Sequence, residues 1–246
     1  SIVPSRVLGL NGQTAPSNQL TRAILGCGGI SNSHLGMPGK ILALCDVDSN
    51  RLKGQMAKVQ GRGNKDVKGY HDFRDVIARD DVDIIHTCTP PHWHAHMAIA
   101  AAQAGKAIWG EKPMSRTIGE GMAMKKEIEK AGVAFRINTW FRFKSNFYGS
   151  GVTARQVKKA VDGGLLGKGP YKVTLSGVTG FNWKFNWSGK TNLPIQQVPD
   201  HFDYDFWLGP APYRPYNAHR THGTFRGYWD YDGGGLGDMG QPYLDP

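Results

Sequence analysis

The stretch RAILGCGGIS (22–31) sets the frame in which the rest of the chain is read. It opens on a short apolar run and ends in Gly26, Gly28 and Gly29. Such glycines permit a tight turn and let backbone N–H groups approach a pyrophosphate where a helix begins. Glycine pairs occur in many loops, so the pattern alone is weak. Its neighbours strengthen it. The glycines follow a predicted strand, and Asp46 closes the next one, ILALCD (41–46), 20 residues after Gly26. A carboxylate at that strand end accepts hydrogen bonds from a ribose diol and repels a 2′-phosphate, which favours NAD over NADP. Ser31 stands where a third glycine is usual, and the crossover from there to Ile41 is short.

Working outward, β-rich runs recur at 82–88, 107–110 and 133–138, separated by helical patterns at 50–59, 73–78, 93–104 and 118–130. Ser49 is placed to cap the first helix, while Gly105 and Gly132 stop the last two. Strand–helix alternation of this kind predicts an α/β fold, a parallel sheet with helices on both faces. Past about residue 150 the texture changes. A helix is expected in GVTARQVKKAVDGGLLG (151–167) and a strand in PYKVTLSGVTG (170–180). Aromatic, Gly and Pro residues then crowd FNWKFNWSG (181–189), DYDFWLGPAPYRPYN (203–217) and HGTFRGYWDYDGGG (222–235). These loops either pack on one another or line a pocket for a ring-shaped ligand. Three units follow: an arm over 1–20, a dinucleotide-binding domain over 21–145 and a substrate domain over 146–246.

The formal charge of +10 raises nucleic acid as a partner, but the lysines and arginines are dispersed along solvated helix faces, so no nucleic-acid binding is expected. No run approaches the roughly 18 unbroken apolar residues of a membrane span. Cys27, Cys45 and Cys88 have neither CxxC spacing nor an even count, which points to buried thiols rather than a disulfide or zinc site. His92, His94 and His96 alternate, and on a helix such positions diverge, so a loop or cap role near a cofactor is favoured over metal.

Two further stretches carry chemistry. TCTPPHWHAH (87–96) lies at the carboxyl end of a strand, where open α/β sheets bind ligands, with Thr89 and Pro90 making the turn. WGEKPMS (109–115) places Glu111 and Lys112 at another strand end. A lysine beside a nicotinamide can hydrogen-bond a substrate hydroxyl and assist its deprotonation, whereas a surface Glu–Lys pair would do little.

Together these stretches resemble the Gfo/Idh/MocA family of glucose–fructose oxidoreductases and inositol dehydrogenases, from about Arg22 to Pro246. The most specific parts are TPPHWH…AAQAGKAIWGEKP, DFWLGPAPYRPYN and GGGLGDMG. The resemblance implies an N-terminal Rossmann domain followed by an α+β substrate domain with an open sheet. It also implies an NAD-dependent oxidoreductase acting on a sugar or cyclic polyol, NADP being the lesser candidate. Gly26, Cys27, Gly28, Gly29, Ile30 and Ser31 then match the phosphate loop, and Asp46 the ribose acid. Thr89, Pro90 and His94 match the segment beside the nicotinamide. Lys112, framed by Glu111 and Pro113, matches the lysine between cofactor and substrate, and Asp238 an aspartate of the substrate pocket. Lys112 and Asp238 are thus the expected catalytic pair. Four residues after Asp238 the family usually carries an acid/base histidine, and Pro242 stands there. Some relatives cleave glycosides by transient oxidation, which is the alternative activity; a catalytically impaired binding protein is the third reading. The arm is similar to one that follows a cleaved twin-arginine signal in an exported branch, implying periplasmic residence, with the cytoplasm as alternative. Because the family continues past this point, the substrate domain is expected to be truncated, and so to be poorly stable or to rely on self-association as a homo-oligomer.

Overall fold

The computed structural model describes residue 15 and residues 18–139, 153–172, 174 and 189–244, the side chains of 154, 239 and 241–244 excepted. Six parallel strands, β1 Thr21–Leu25, β2 Lys40–Cys45, β3 Lys68–Tyr70, β4 Ile84–Thr87, β5 Ala107–Glu111 and β6 Phe135–Asn138, form a sheet in the order β3-β2-β1-β4-β5-β6. Helices α1 Ser31–His34, α2 Ser49–Gly61, α3 Phe73–Ile77, α4 Pro91–Gln103 and α5 Ile118–Ala131 make the crossovers. Strand order reverses between β1 and β4, so the loops leaving these neighbours diverge and open a crevice at the carboxyl ends.

Alternate residues of β1 feed two apolar layers. Ala23 and Leu25 pack with Val76, Met97 and Met124 from α3, α4 and α5. Ile24 packs with Leu35 and Val59 on the opposite face. In β2 an extra residue intervenes, since Arg22 pairs with Ile41 but Ala23 with Ala43. The pleat slips by one at that point, and Ile41 and Leu44 reach the same layer.

The five expected strands and four expected helices of this half are present with shifted ends. Ser49 is not the cap of α2. Asp48, extended at φ −101°, accepts from Asn50 N and Arg51 N, and Ser49 is the first helical residue. A carboxylate here also complements the helix's positive end. Helix α4 begins at Pro91, earlier than residue 93, because proline at the first position has its φ preset and needs no N–H partner. Strand β3, only KGY, has too few residues for periodicity and is defined by pairing with β2. Helix α5 carries a Thr117–Glu120 capping box and ends on Gly132 at φ +66°.

The short crossover after β1 leaves room for one turn, α1, and a buried arginine organises its exit. The Arg22 guanidinium donates to the carbonyls of His34 (2.6 Å), Leu35 (3.3 Å), Met37 (2.7 Å) and Gly39 (3.0 Å). Five donors in a rigid fork suit a cluster of carbonyls that the short helix leaves unpaired.

Beyond 150 the described residues form α6 Ala154–Asp162, α7 Tyr204–Leu208, α8 Gly234–Leu244 and two 3₁₀ turns, Ala218–Arg220 and His222–Gly227. Of the strand expected over 170–180, residues 170–172 and 174 carry no strand; the rest, with 181–188, lies outside the described residues. The boundary expected at 145/146 and most of the arm also lie outside them. The aromatic loops largely pack on one another, in a cluster of Phe202, Tyr204, Trp207, Leu208, Tyr216, Phe225, Tyr228 and Tyr231. This cluster is tied to the carboxyl edge of the sheet. Asp203 N donates to Val47 O and Ser49 N to His201 O, around a Asp48–Phe202 bridge. Trp93 Nε1 and His92 Nε2 both meet Trp207 O at 2.9 Å.

Replacing Arg22 by Met keeps much of the volume and removes the donors from those carbonyls. Arg22→Met should cost about 3 kcal/mol of stability in urea denaturation. A loss below about 1 kcal/mol would show that the carbonyls find other partners.

Candidate active site

Where the strand order reverses, a cleft with a volume of about 290 Å³ opens between the sheet's carboxyl edge and the aromatic cluster. At one end stands the glycine loop. Gly26 has φ +93°, and a Cβ there would lie 2.7 Å from the Cys88 carbonyl and 2.9 Å from Thr89 N. Glycine is required because the loop after β4 passes directly behind it. Gly28 and Gly29 serve the other side. A Cβ at Gly29 would meet nothing within 4 Å, so this backbone borders open cleft. The N–H groups of Gly28, Gly29 and Ile30 make no hydrogen bond among the described residues, whereas the next three N–H groups close turns onto Gly28, Gly29 and Ile30 carbonyls. These donors and the uncrowded glycines fit the pyrophosphate of a dinucleotide. With α1 a single turn, the loop amides supply this site rather than a helix dipole.

Ser31, at the third-glycine place, is fully buried and supports the loop from beneath. Its hydroxyl donates to Gly28 O (2.6 Å) and accepts from Gln55 Nε2 (2.9 Å). Asp46 lines the cleft at the end of β2. Its Oδ2 accepts from Cys27 N (2.6 Å) and its Oδ1 from Asp48 N (2.8 Å), which aims the carboxylate while leaving lone pairs for a ribose diol. Burial raises its pKa, an effect that these two N–H bonds and Arg51 oppose. Cys27 therefore acts through its backbone. Its thiol is buried beside Cys45 O, and burial pushes its pKa up.

At the other end Thr89, Pro90, Glu111 and Lys112 line the cleft. His94 lies behind the wall, with Nδ1 2.7 Å from Pro113 O and Nε2 2.7 Å from Thr89 O. It joins the two loops that flank the cleft. Burial lowers its pKa against the pull of both carbonyls. His92 is buried against Trp207 and pushed down to about 4 by that burial, while His96 is exposed. The three histidines thus diverge, as their spacing predicts. Glu111 anchors a buried chain that the motifs did not reveal. His34 Nε2 lies 2.6 Å from its Oε1, Asn138 Nδ2 donates to the same oxygen at 2.6 Å, and His34 Nδ1 faces His86 Nδ1 at 2.8 Å. His86 is held neutral, down to about 3, chiefly by burial. A proton on His86 Nδ1 and one on His34 Nε2 satisfies every contact in the chain. Isolated histidines in α1 and β4 carry no sequence signal for this pairing.

Across the cleft, Lys112 Nζ contacts Asp238 Oδ1 at 2.8 Å, and Arg226 Nε donates to Oδ2 at 3.0 Å. Burial works to raise the Asp238 pKa, but the two cations outweigh it and hold the carboxyl below its ordinary range. Two residues 126 apart in sequence therefore meet in one ion pair. Helix α8 begins at Gly234 and continues through residue 242, past its first turn. A proline there offers no N–H to the Asp238 carbonyl and no proton-transferring group, and such a placement costs a helix on the order of 3 kcal/mol.

Residues 20–139 match the model of the Gfo/Idh/MocA oxidoreductase family's NAD-binding Rossmann fold, and residues 150–246 that of its C-terminal alpha/beta domain. D-apiose dehydrogenase of Paraburkholderia graminis is 29% identical over 55% of this chain and 36% of its own length. Glycosyl hydrolase family 109 protein 2 of Shewanella sp. (strain ANA-3) is 40% identical over 33% of this chain and 19% of its own. Among solved structures, myo-inositol 2-dehydrogenase from Lactobacillus plantarum superposes with a TM-score of 0.52 at 27% identity, covering 61% of this chain and 43% of that one. The chain spans less than half the length of these curated relatives.

The two kinds of glycine separate in a paired test. Gly26→Ala should cost roughly 2–3 kcal/mol in denaturation, from left-handed strain and the clash with Cys88. Gly29→Ala should leave stability within about 0.5 kcal/mol yet weaken NAD binding in a fluorescence titration. Equal stability losses would contradict the assignment of their roles.

Proposed function

We propose that this chain, which belongs to the Gfo/Idh/MocA oxidoreductase family, forms the NAD site and substrate-facing pair of a dehydrogenase acting on a sugar or cyclic polyol. The observation that carries this reading is the Lys112–Asp238 ion pair, closing one end of a cleft whose other end holds the glycine loop and Asp46. NAD, when bound, supplies the acceptor for a hydride leaving a carbinol carbon. The loop amides of Gly28, Gly29 and Ile30 would hold the pyrophosphate, and Asp46 the adenosine ribose, its charge excluding a 2′-phosphate. Lys112 donates a hydrogen bond that orients the substrate hydroxyl. Asp238, kept ionised by Lys112 and Arg226, accepts the hydroxyl proton. Phe202, Phe206, Trp207 and Phe225 wall the cleft, and aromatic rings suit a sugar's C–H surface.

The dehydrogenases for D-apiose and myo-inositol among the relatives support a polyhydroxylated substrate. The family 109 relative favours a second reading, glycoside cleavage through transient oxidation, in which product forms without net NADH. Periplasmic residence is supported only by the similarity of the N-terminal arm, and cell fractionation tests it. Self-association is supported by the apolar side chains Val157, Val161, Leu165 and Leu166, exposed along and just after α6, and sedimentation tests it.

Purified protein given NAD and a panel of sugars and inositols should produce the absorbance of NADH. Lys112→Met should lower kcat by about 10²–10⁴-fold while NAD affinity is retained. Asp46→Ala should narrow the preference for NAD over NADP by roughly tenfold or more, about 1.4 kcal/mol. Absence of both NAD binding and sugar-dependent reduction would overturn the proposal; aryl glycoside hydrolysis without NADH would establish the second reading.

A further inference from the structure

Glu111 lines the cleft from the end of β5, yet it takes no part in the hydroxyl contacts assigned to Lys112 and Asp238. Its side chain is 4% exposed, and its polar contacts are all with donors. Oε1 meets Asn138 Nδ2 and His34 Nε2, both at 2.6 Å, and Oε2 accepts from the backbone N–H of Lys112 at 3.3 Å. The ionised carboxylate is the form that accepts from three donors and offers none. With His86 donating from Nδ1 to His34 Nδ1, and His34 donating from Nε2, both rings are neutral. The negative charge therefore rests on Glu111, and no lysine or arginine side chain pairs with it among the described residues.

The strand order fixes what that charge faces. A pyrophosphate on the loop after β1 and an adenosine ribose on Asp46 after β2 send the nicotinamide half of a dinucleotide over the ends of β4 and β5. Thr89, Pro90, Glu111 and Lys112 line the cleft there. Lys112 and Arg226 both bond Asp238, and these three side chains together carry one net positive charge. Glu111 brings the sum at this end of the cleft to zero. A nicotinamide ring is cationic when oxidised and neutral when reduced. The surplus cation alone would repel the oxidised ring, and a fixed carboxylate beside it removes that penalty.

Resting on the NAD-dependent dehydrogenase reading above, we propose that Glu111, positioned by His34, His86 and Asn138, biases the bound cofactor toward its oxidised form and so sets the direction of hydride transfer. As the carbinol C–H bond breaks, its electron pair enters the ring as hydride and the carbon becomes a carbonyl. The hydroxyl proton goes to Asp238, and the ring's positive charge is lost beside Glu111. The carboxylate therefore opposes reduction of the cofactor and favours return of the hydride to a carbonyl. Sugar reduction, or a cycle that hands hydride back to its own intermediate, gains most from such a bias.

Binding of both cofactor forms to the whole chain tests this without a substrate. Dissociation constants for NAD and for NADH, from quenching of tryptophan fluorescence, give the ratio of the two affinities. Glu111→Gln should shift that ratio toward NADH by about tenfold or more, chiefly by weakening NAD. Glu111→Asp keeps the charge and should hold the ratio near the wild-type value. Glu129→Gln, at an exposed carboxylate on α5, changes net charge equally and should not move it. Equal weakening of both forms by Glu111→Gln marks a merely structural residue and overturns the proposal. So does a ratio shift of the same size in Glu111→Asp or Glu129→Gln. Where Glu111→Gln does not fold, the wild type decides: it should bind NAD at least as tightly as NADH, and a preference for NADH of about tenfold overturns the proposal. If the ratio shifts as expected while no sugar is oxidised or reduced, the dehydrogenase reading fails and the charge role of Glu111 stands. Failure of the wild type to bind either form overturns both.

Discussion

The cleft depends on one close approach: the backbone at Gly26 passes so near Cys88 and Thr89 that no side chain fits between them. Strands β1 and β4 are neighbours whose following loops must turn in opposite directions. Only a residue without a Cβ, held at positive φ, lets the two loops part at contact distance. From there the glycine loop turns toward β2 and Asp46, and the Thr89–Pro90 turn leads into α4. Everything that lines the cleft is placed relative to that crossing.

Buried polar groups then hold the loops that would otherwise be soft. Arg22 gathers four carbonyls after α1, Ser31 and Gln55 hold the glycine loop, His94 joins Thr89 to Pro113, and the His34–His86 pair anchors Glu111. Each group sits out of water against polar partners, and leaving one unpaired costs more than the bond itself contributes. That asymmetry makes the loops rigid without adding bulk to the cleft.

Electrostatics divides the carboxylates by task. Asp46 is raised by burial but oriented by two backbone N–H groups, which suits a hydrogen-bonding role toward a diol. Asp238 sits between two cations and stays ionised. Asp232, buried without a cation bonded to its free oxygen, moves to near neutrality. Identical side chains reach three different states because desolvation and local charge balance differently at each place.

Alternating apolar runs and glycine stops were enough to mark five of the six strands, the crossover helices and the residues at the strand ends, because these signals are local. The strand-end position singled out Asp46, and the motifs that carry the family resemblance singled out Lys112 and Asp238. Strand β3 was not legible, since three residues have no period and take their conformation from pairing with β2. Nor was the cap of α2, where Asp48 and Ser49 are both good candidates and the backbone entering the helix chooses. Cys27 and His94 illustrate the limit further: the motifs place them at the cofactor, and the fold puts both side chains behind the cleft wall, acting through a backbone N–H and two carbonyl contacts. By itself, then, the sequence determined the parallel α/β frame, the glycine loop and which residue types stand at the strand ends. Only the tertiary structure decided that Asp238 meets both Lys112 and Arg226, that His34 and Asn138 hold Glu111, and that Asp232 is buried. Those pairings join residues far apart in the chain, and their energies arise from shared burial that no local pattern encodes.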